Sequence, residues 1–486
     1  DPDVIRVEDT YYMVSTTMHF MPGCEILQSF DLVHWEHVTY VYETLDHTDA
    51  QQLKSGQNIY GQGMWAASLR YHEGRFCICF VANDTRKTYL YTSEKIDGPW
   101  KKQLIEGFYH DGSLLFDEDG RNYIVYGNDE IWITELNEDL TAPKKDGLHR
   151  LLVSDHKNPE LGYEGSHIQK INGYYYIFLV HSLRDRWMRT EACFYSDSLE
   201  GEFTGGDVLC DDRGYCGQGV AQGGIVDTPD GKWYAMLFQD SGAVGRIPIL
   251  LPVTWKDHFP VFGQNGHVPE EIEVHSTRPG YIYQPLVGSD DFCNGLLPRW
   301  QFNHDPDPRY YHLDALQGTY TITTREVCTE LTQAVNTLTQ RMSYPSCAAE
   351  VTVDASALKE GDVAGLCALQ SCYAAVGITK HHGKYEVLML DKKEDGILDM
   401  TEGTVVESHQ MDFRLEADFC NMKDEARCYY RVNKGDWLPI GTVHKLYFKL
   451  DHFTGCRFGL FCYAAEETGG SACFRDFKYY DVDEIS

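Results

Sequence analysis

At 486 residues, 43 % of them hydrophobic, the chain is longer than one core usually serves and apolar enough to bury two. Its 42 basic against 74 acidic residues give a formal charge of −32, a field that repels phosphate backbones and anionic lipid and argues against nucleic acid as a partner. No run of about 18 apolar residues occurs, which excludes a membrane-spanning helix.

The first half of the chain repeats. Five turn-plus-aromatic hairpins succeed one another: Glu8-Asp9-Thr10-Tyr11-Tyr12, Glu73-Gly74-Arg75-Phe76-Cys77, Asp119-Gly120-Arg121-Asn122-Tyr123, Asn172-Gly173-Tyr174-Tyr175-Tyr176 and Asp230-Gly231-Lys232-Trp233-Tyr234. A spacing of roughly 50–65 residues between similar units signals radial or solenoid architecture. Each unit is a tight polar turn between two apolar, aromatic-rich runs, which is strand–turn–strand chemistry. Five of them predict a five-bladed β-propeller. A second recurring element closes each blade's outer hairpin with a polar turn ending in an aromatic, as in Ser29 to Trp35, Ser93 to Trp100 and Ser196 to Phe203. About 10–12 residues before each hairpin aromatic stands one unusual residue at the start of a strand: Asp1, Trp65, Asp111, Glu164 and Gln222. If that strand is innermost in its blade, three acids, an indole and an amide face the axis at one end.

The final blade runs on through Ile247 to Trp255, and the repeats cease after Pro260-Val261-Phe262. A stretch rich in Gly, Pro and charge then extends to about Ser289 and holds the linker, placed at 271–289 between a catalytic propeller at 1–270 and a second domain at 290–486. Short alternating strands such as Gly318 to Thr323, Ala348 to Val353 and Lys384 to Leu390 predict a β-sandwich there, so the expected fold class is all-β throughout. The 16 cysteines sit in apolar strands, as in Phe76-Cys77-Ile78-Cys79-Phe80, the pattern of small core hydrophobes in a reducing compartment. No paired Cys-x-x-Cys motif suggests zinc and no signal peptide is recognisable, so the expected location is the cytoplasm.

Acids across a sugar-sized pocket are what glycoside hydrolysis requires: one protonated to donate to the leaving oxygen, one ionised to activate water or attack the anomeric carbon. A third carboxylate nearby raises the acid's pKa and orients it. Each acid alone could equally cap a strand or pair with an arginine. Their recurrence at one position in different blades favours a site.

Four ordered motifs, Asp1-Pro2-Asp3-Val4-Ile5, Met64-Trp65-Ala66-Ala67-Ser68-Leu69, His110-Asp111-Gly112-Ser113-Leu114 and Glu164-Gly165-Ser166-His167, resemble the signatures of glycoside hydrolase family 43. The second half, with Asp290-Asp291-Phe292, Gln301-Phe302-Asn303-His304 and Asn336 to Arg341, is similar to the concanavalin-like jelly roll appended to that family's β-xylosidases. The resemblance implies an inverting hydrolase with Asp1 as general base, Asp111 as the residue that tunes and orients, and Glu164 as general acid. It also implies Phe20 and Trp65 as aromatic walls around the terminal sugar and Arg246 as a ligand of its hydroxyls. The substrate it implies is a xylo-oligosaccharide or arabinoxylan fragment, with xylosidase and arabinofuranosidase preference both open, and a homo-oligomer also left open.

Two departures from the pattern matter. His110 and Gly112 stand where the family often has an aromatic and a proline. Gln222 stands where many members use a histidine at the axis to help hold calcium; an amide oxygen can also ligate calcium. No cofactor is implied for the chemistry itself, and the axial position is open to calcium, a monovalent ion or water. Strand alternation counted from Glu164 turns His167 away from the axis. A sugar-binding propeller without catalysis would not need three axial acids, and a retaining, β-fructosidase-like enzyme would need a nucleophile motif that is not recognisable here. With no row of exposed tryptophans, the sandwich is expected to pack on the propeller and lend a loop that narrows the pocket, giving exo action.

Overall fold

The structure, a computed structural model, describes residues 1–481. Residues 482–486, the end of the expected sandwich domain, lie outside the described ones. Five four-stranded antiparallel sheets come first, each built from a continuous stretch of chain. Their first strands, Asp3–Val7, Met64–His72, Ser113–Phe116, Glu164–Ile171 and Ala221–Asp227, pack against one another around a common axis. This is a five-bladed β-propeller.

The hairpins read from the sequence join the first and second strands of every blade. The turns at Glu73-Gly74 and Asn172-Gly173 have positive φ at both central residues, the conformation whose twist matches the flanking strands. Second strands such as Arg75–Ala82 and Tyr174–Ser182 are buried almost throughout because neighbouring blades cover both faces. Hence they read as unbroken apolar runs, and Cys77 and Cys79 fill the space between blades. None of the 16 cysteines forms a disulfide.

Because no blade borrows a strand from elsewhere, side chains close the ring. Val4, Tyr11, Met13 and Leu32 of blade 1 pack on Val226, Tyr234 and Met236 of blade 5, and Arg6 pairs with Asp227. Residues 263–289 then run back across blade 1: Thr277 N–H donates to the Phe30 carbonyl (2.7 Å), Arg278 pairs with Asp9 (2.8 Å), and Gln284 N–H donates to Glu36 (2.9 Å).

Two antiparallel sheets of eight and seven strands form the sandwich over a core that includes Phe292, Trp300, Tyr320, Phe413, Leu460 and Phe474. Val363–Leu369 is buried at every position because its outer face carries a second cluster with Leu331, Tyr373 and Phe461. The expected docking on the propeller is present. Met21 and Phe302 exchange both backbone hydrogen bonds (3.1 and 2.7 Å), Arg341 pairs with Glu25 (2.9 Å), and Cys456 N–H donates to the Ala243 carbonyl (2.8 Å).

Candidate active site

All five residues singled out by the repeat stand at the same end of the axis, at or just before the start of an inner strand. In blades 2, 4 and 5 a β-bulge lies at the site residue, between Trp65 and Ser68, Glu164 and His167, and Ala221 and Gly224. A bulge adds one residue to the strand and re-aims the side chains beyond it. This corrects the expectation for His167: simple alternation turns it outward, but the bulge brings it to the axis, where its Nδ1 lies 3.2 Å from Asp3 Oδ1.

Asp1 is held by Arg246, whose guanidinium meets one carboxylate oxygen while the Thr16 hydroxyl donates to the other. An adjacent guanidinium favours the ionised carboxylate. Thr16 is fixed in turn by the Ala66 N–H (2.9 Å), and Arg246 by Asp240 (3.2 Å), which also pairs with Arg189. Aromatic faces enclose the Arg246 guanidinium, Phe238 at 4.4 Å and Phe453 at 4.2 Å.

Asp111 is buried at a positive φ of 48°, a conformation Asp tolerates, and accepts a hydrogen bond from Gly165 N–H (3.0 Å). Burial, with the charge of Glu164 adding, pushes its carboxyl above the usual range against the pull of His110. Glu164 accepts a hydrogen bond from Asn128 Nδ2 (2.7 Å). The departure at Gly112 has a packing reason: a Cβ there would lie 2.9 Å from Ile124 Cδ1 and 3.0 Å from the Tyr109 carbonyl.

Trp65 meets the ring edge of Phe453 at 5.2 Å, so the sandwich does lend the site a residue, on a loop between Leu446 and Arg457. Phe20 is brought near but not to the surface. It is fully buried, with the Arg457 guanidinium 3.5 Å above its ring, and so backs the wall rather than forming it. Gly455 seats the loop: at φ +102° its Cβ would lie 2.0 Å from the carbonyl of Val244, close to Arg246 in the chain. Gly455→Ala is therefore expected to destabilise the protein by about 1–3 kcal/mol and to displace Phe453. A lower Tm together with reduced activity would show both effects; a variant unchanged in both would contradict this role for the seam.

Below the carboxylates the axis holds a cavity of about 10 Å³ lined by Asp1, Asp3, Asp111, His167 and Gln222. Its carboxylates are already engaged. Asp1 faces Arg246, Asp111 faces Gly165 N–H, and Asp3 accepts from Arg70 (2.8 Å) and Leu69 N–H (2.7 Å). Burial acts upward on Asp3, yet Arg70 and His167 hold it below the usual range. The Gln222 amide and the second oxygen of Asp111 are not engaged in this way, fewer than the about six to eight oxygens calcium takes, so an ion held here would complete its shell with water. A cavity of about 530 Å³ between blades 1 and 5 is lined by the site residues Asp1, Thr16, Arg246 and Phe453 together with apolar Met13, Leu27, Trp35 and Leu250.

Thr16, Asn128, Asp240 and Phe453 were missed by sequence reasoning. Asn128 and Asp240 end second strands at the same rim, a position the repeat could have marked. Phe453 carries no such signal, because only the docked second domain brings it to the site.

Comparison with known proteins agrees with this geometry. Residues 1–260 match the model of glycosyl hydrolases family 43, and residues 289–480 that of the beta xylosidase C-terminal concanavalin A-like domain. A beta-xylosidase of Formosa agariphila is 26 % identical over 99 % of this chain and 87 % of its own length. A xylosidase/arabinosidase of Humicola insolens is 25 % identical over 99 % and 95 %. Among solved structures, a bifunctional GH43-CE protein of Bacteroides eggerthii superposes with a TM-score of 0.92 at 42 % identity; the match covers all of this chain and 62 % of that one. With its propeller, its axial acids and its appended sandwich, this chain belongs to glycosyl hydrolases family 43 and is a glycoside hydrolase.

Proposed function

We propose that the chain is an inverting, exo-acting hydrolase that releases a terminal pentose, β-D-xylose or α-L-arabinofuranose, from hemicellulose-derived oligosaccharides. The observation that carries this reading is the unequal treatment of two acids at one rim. Asp1 is paired directly with the Arg246 guanidinium and the Thr16 hydroxyl, while Glu164 accepts a hydrogen bond from the neutral Asn128 amide and has only the longer contact of His110 at 3.5 Å, with buried Asp111 nearby.

In this reading Asp1 takes a proton from a water as that water attacks the anomeric carbon. Glu164 gives its proton to the glycosidic oxygen as the carbon–oxygen bond breaks. Asp111 orients the donor and, with Arg246, binds sugar hydroxyls. Phe453 and Trp65 close one end, which suits a single terminal sugar. The names of the relatives, xylosidase and arabinosidase, support a pentose at that position. No step in this reading uses a metal.

Assays on 4-nitrophenyl β-D-xyloside, 4-nitrophenyl α-L-arabinofuranoside and xylan test this, before and after dialysis against EDTA. The expected result is hydrolysis of at least one aryl pentoside, monosaccharide as the sole product from xylan fragments, and rates unchanged by EDTA. Internal oligosaccharides as first products would contradict exo action. Loss on chelation, restored by calcium, would contradict the metal-free reading.

A further inference from the structure

The residue preceding the second acid places an imidazole between two carboxylates. His110 Nε2 lies 3.6 Å from Asp111 Oδ2 and 3.5 Å from Glu164 Oε2, and the donor atoms of all three residues lie within 4.8 Å of one another. These separations are long for a hydrogen bond but short for an ion pair. The His110 side chain is 23 % exposed, so water screens the contact only in part.

The groups that face it come from several elements. Asp111 adjoins it in the chain, and Glu164 starts the inner strand of blade 4 with Asn128 beside it. Arg86 of blade 2 stacks on Phe108 at 4.2 Å and opposes a positive charge on the ring. Arg246 and Arg189 lie farther across the site, each feeling the charge of Glu164. While Glu164 keeps its proton, the Asp111 carboxylate faces the ring against the one nearby arginine, and Glu164 becomes a second carboxylate beside it once the proton is given. The Asp111 charge, working against burial and joined by Glu164, raises the imidazole to about 9. His110 is therefore a cation at neutral pH.

We propose that His110 is a positioning residue of the reaction, a fixed cation that acts through Glu164 by stabilising the carboxylate left when Glu164 gives its proton to the leaving group. This role rests on Glu164 being the general acid. An uncharged aromatic in this place fills the same space and stabilises nothing at that moment. The charge has two consequences. Proton donation to poor leaving groups is easier, and the alkaline limb of activity, where the donor loses its proton, sits at lower pH than it would without the cation.

The test compares pH profiles of kcat/KM for the wild type, His110→Phe and His110→Gln on the methyl glycoside of the preferred pentose. Phenylalanine keeps ring volume and removes the charge; glutamine removes the charge and keeps a hydrogen-bonding group. In both variants the alkaline limb is expected to move up by about 1 pH unit. In both, kcat on the methyl glycoside should fall by about 10-fold while kcat on the 4-nitrophenyl glycoside stays within about twofold. A limb that stays in place in both variants, or moves in His110→Phe alone, overturns the role of the charge. Glu164→Gln in the same series separates the two ideas: if the limb persists without Glu164, the acid assignment is wrong, whatever His110 does.

Discussion

Glu164→Gln is expected to lower cleavage of alkyl pentosides and xylo-oligosaccharides by about 10²–10⁴-fold, the usual contribution of a positioned general acid. The substitution keeps size and can keep the hydrogen bond from Asn128 (2.7 Å), so the loss is that of a proton rather than of a shape. Aryl pentosides with good leaving groups need little protonation and should retain most of their rate. Steady-state kinetics on a series of leaving groups reads this directly. The dependence of rate on leaving-group pKa should become much steeper in the variant. An equal loss across the series would mean that Glu164 binds or supports, and that the proton comes from elsewhere.

Removing residues 290–486 is expected to leave a propeller that is insoluble or inactive even on a small aryl pentoside. The sandwich is not a tethered module. It pairs backbone with blade 1 through Met21 and Phe302, places Arg457 over the buried Phe20, and supplies Phe453 against Arg246 and Trp65. Its loss would bare an apolar face and open the pocket at once. Phe453→Ala in the full chain separates these effects: activity should fall while the protein still folds and melts cooperatively, at a Tm lowered by the loss of one buried ring. A truncated propeller that melts cooperatively and keeps full activity on the aryl pentoside would contradict this account of the interface.

The propeller was legible because its physics is local and repeated. A turn such as Asn172-Gly173 announces its own conformation, and five copies announce the ring. The acids were legible for the same reason: Asp1, Asp111 and Glu164 occupy equivalent strand starts, so one repeat position gathers them without any knowledge of tertiary contacts. His167 was misplaced because a bulge is a one-residue event with no strong sequence mark, yet it reverses the facing of the residues beyond it. Phe20 was placed at the sugar by resemblance, but in this chain Arg457 of the second domain covers it. Phe453 acts through contacts between segments far apart in the chain, which periodicity does not encode. The departure at His110 was visible as a letter, and its meaning came only with its two carboxylate neighbours.

Inversion at the anomeric carbon is the central claim, because it requires that Asp1, held by Arg246, activate water instead of attacking the sugar. Proton NMR of the first product from an aryl pentoside, recorded before mutarotation, measures it. The account predicts that the first anomer has the configuration opposite to the substrate's, α-xylose from a β-xyloside or β-arabinose from an α-arabinofuranoside. A first anomer of retained configuration would make one of the carboxylates a nucleophile and contradict the role given to Asp1.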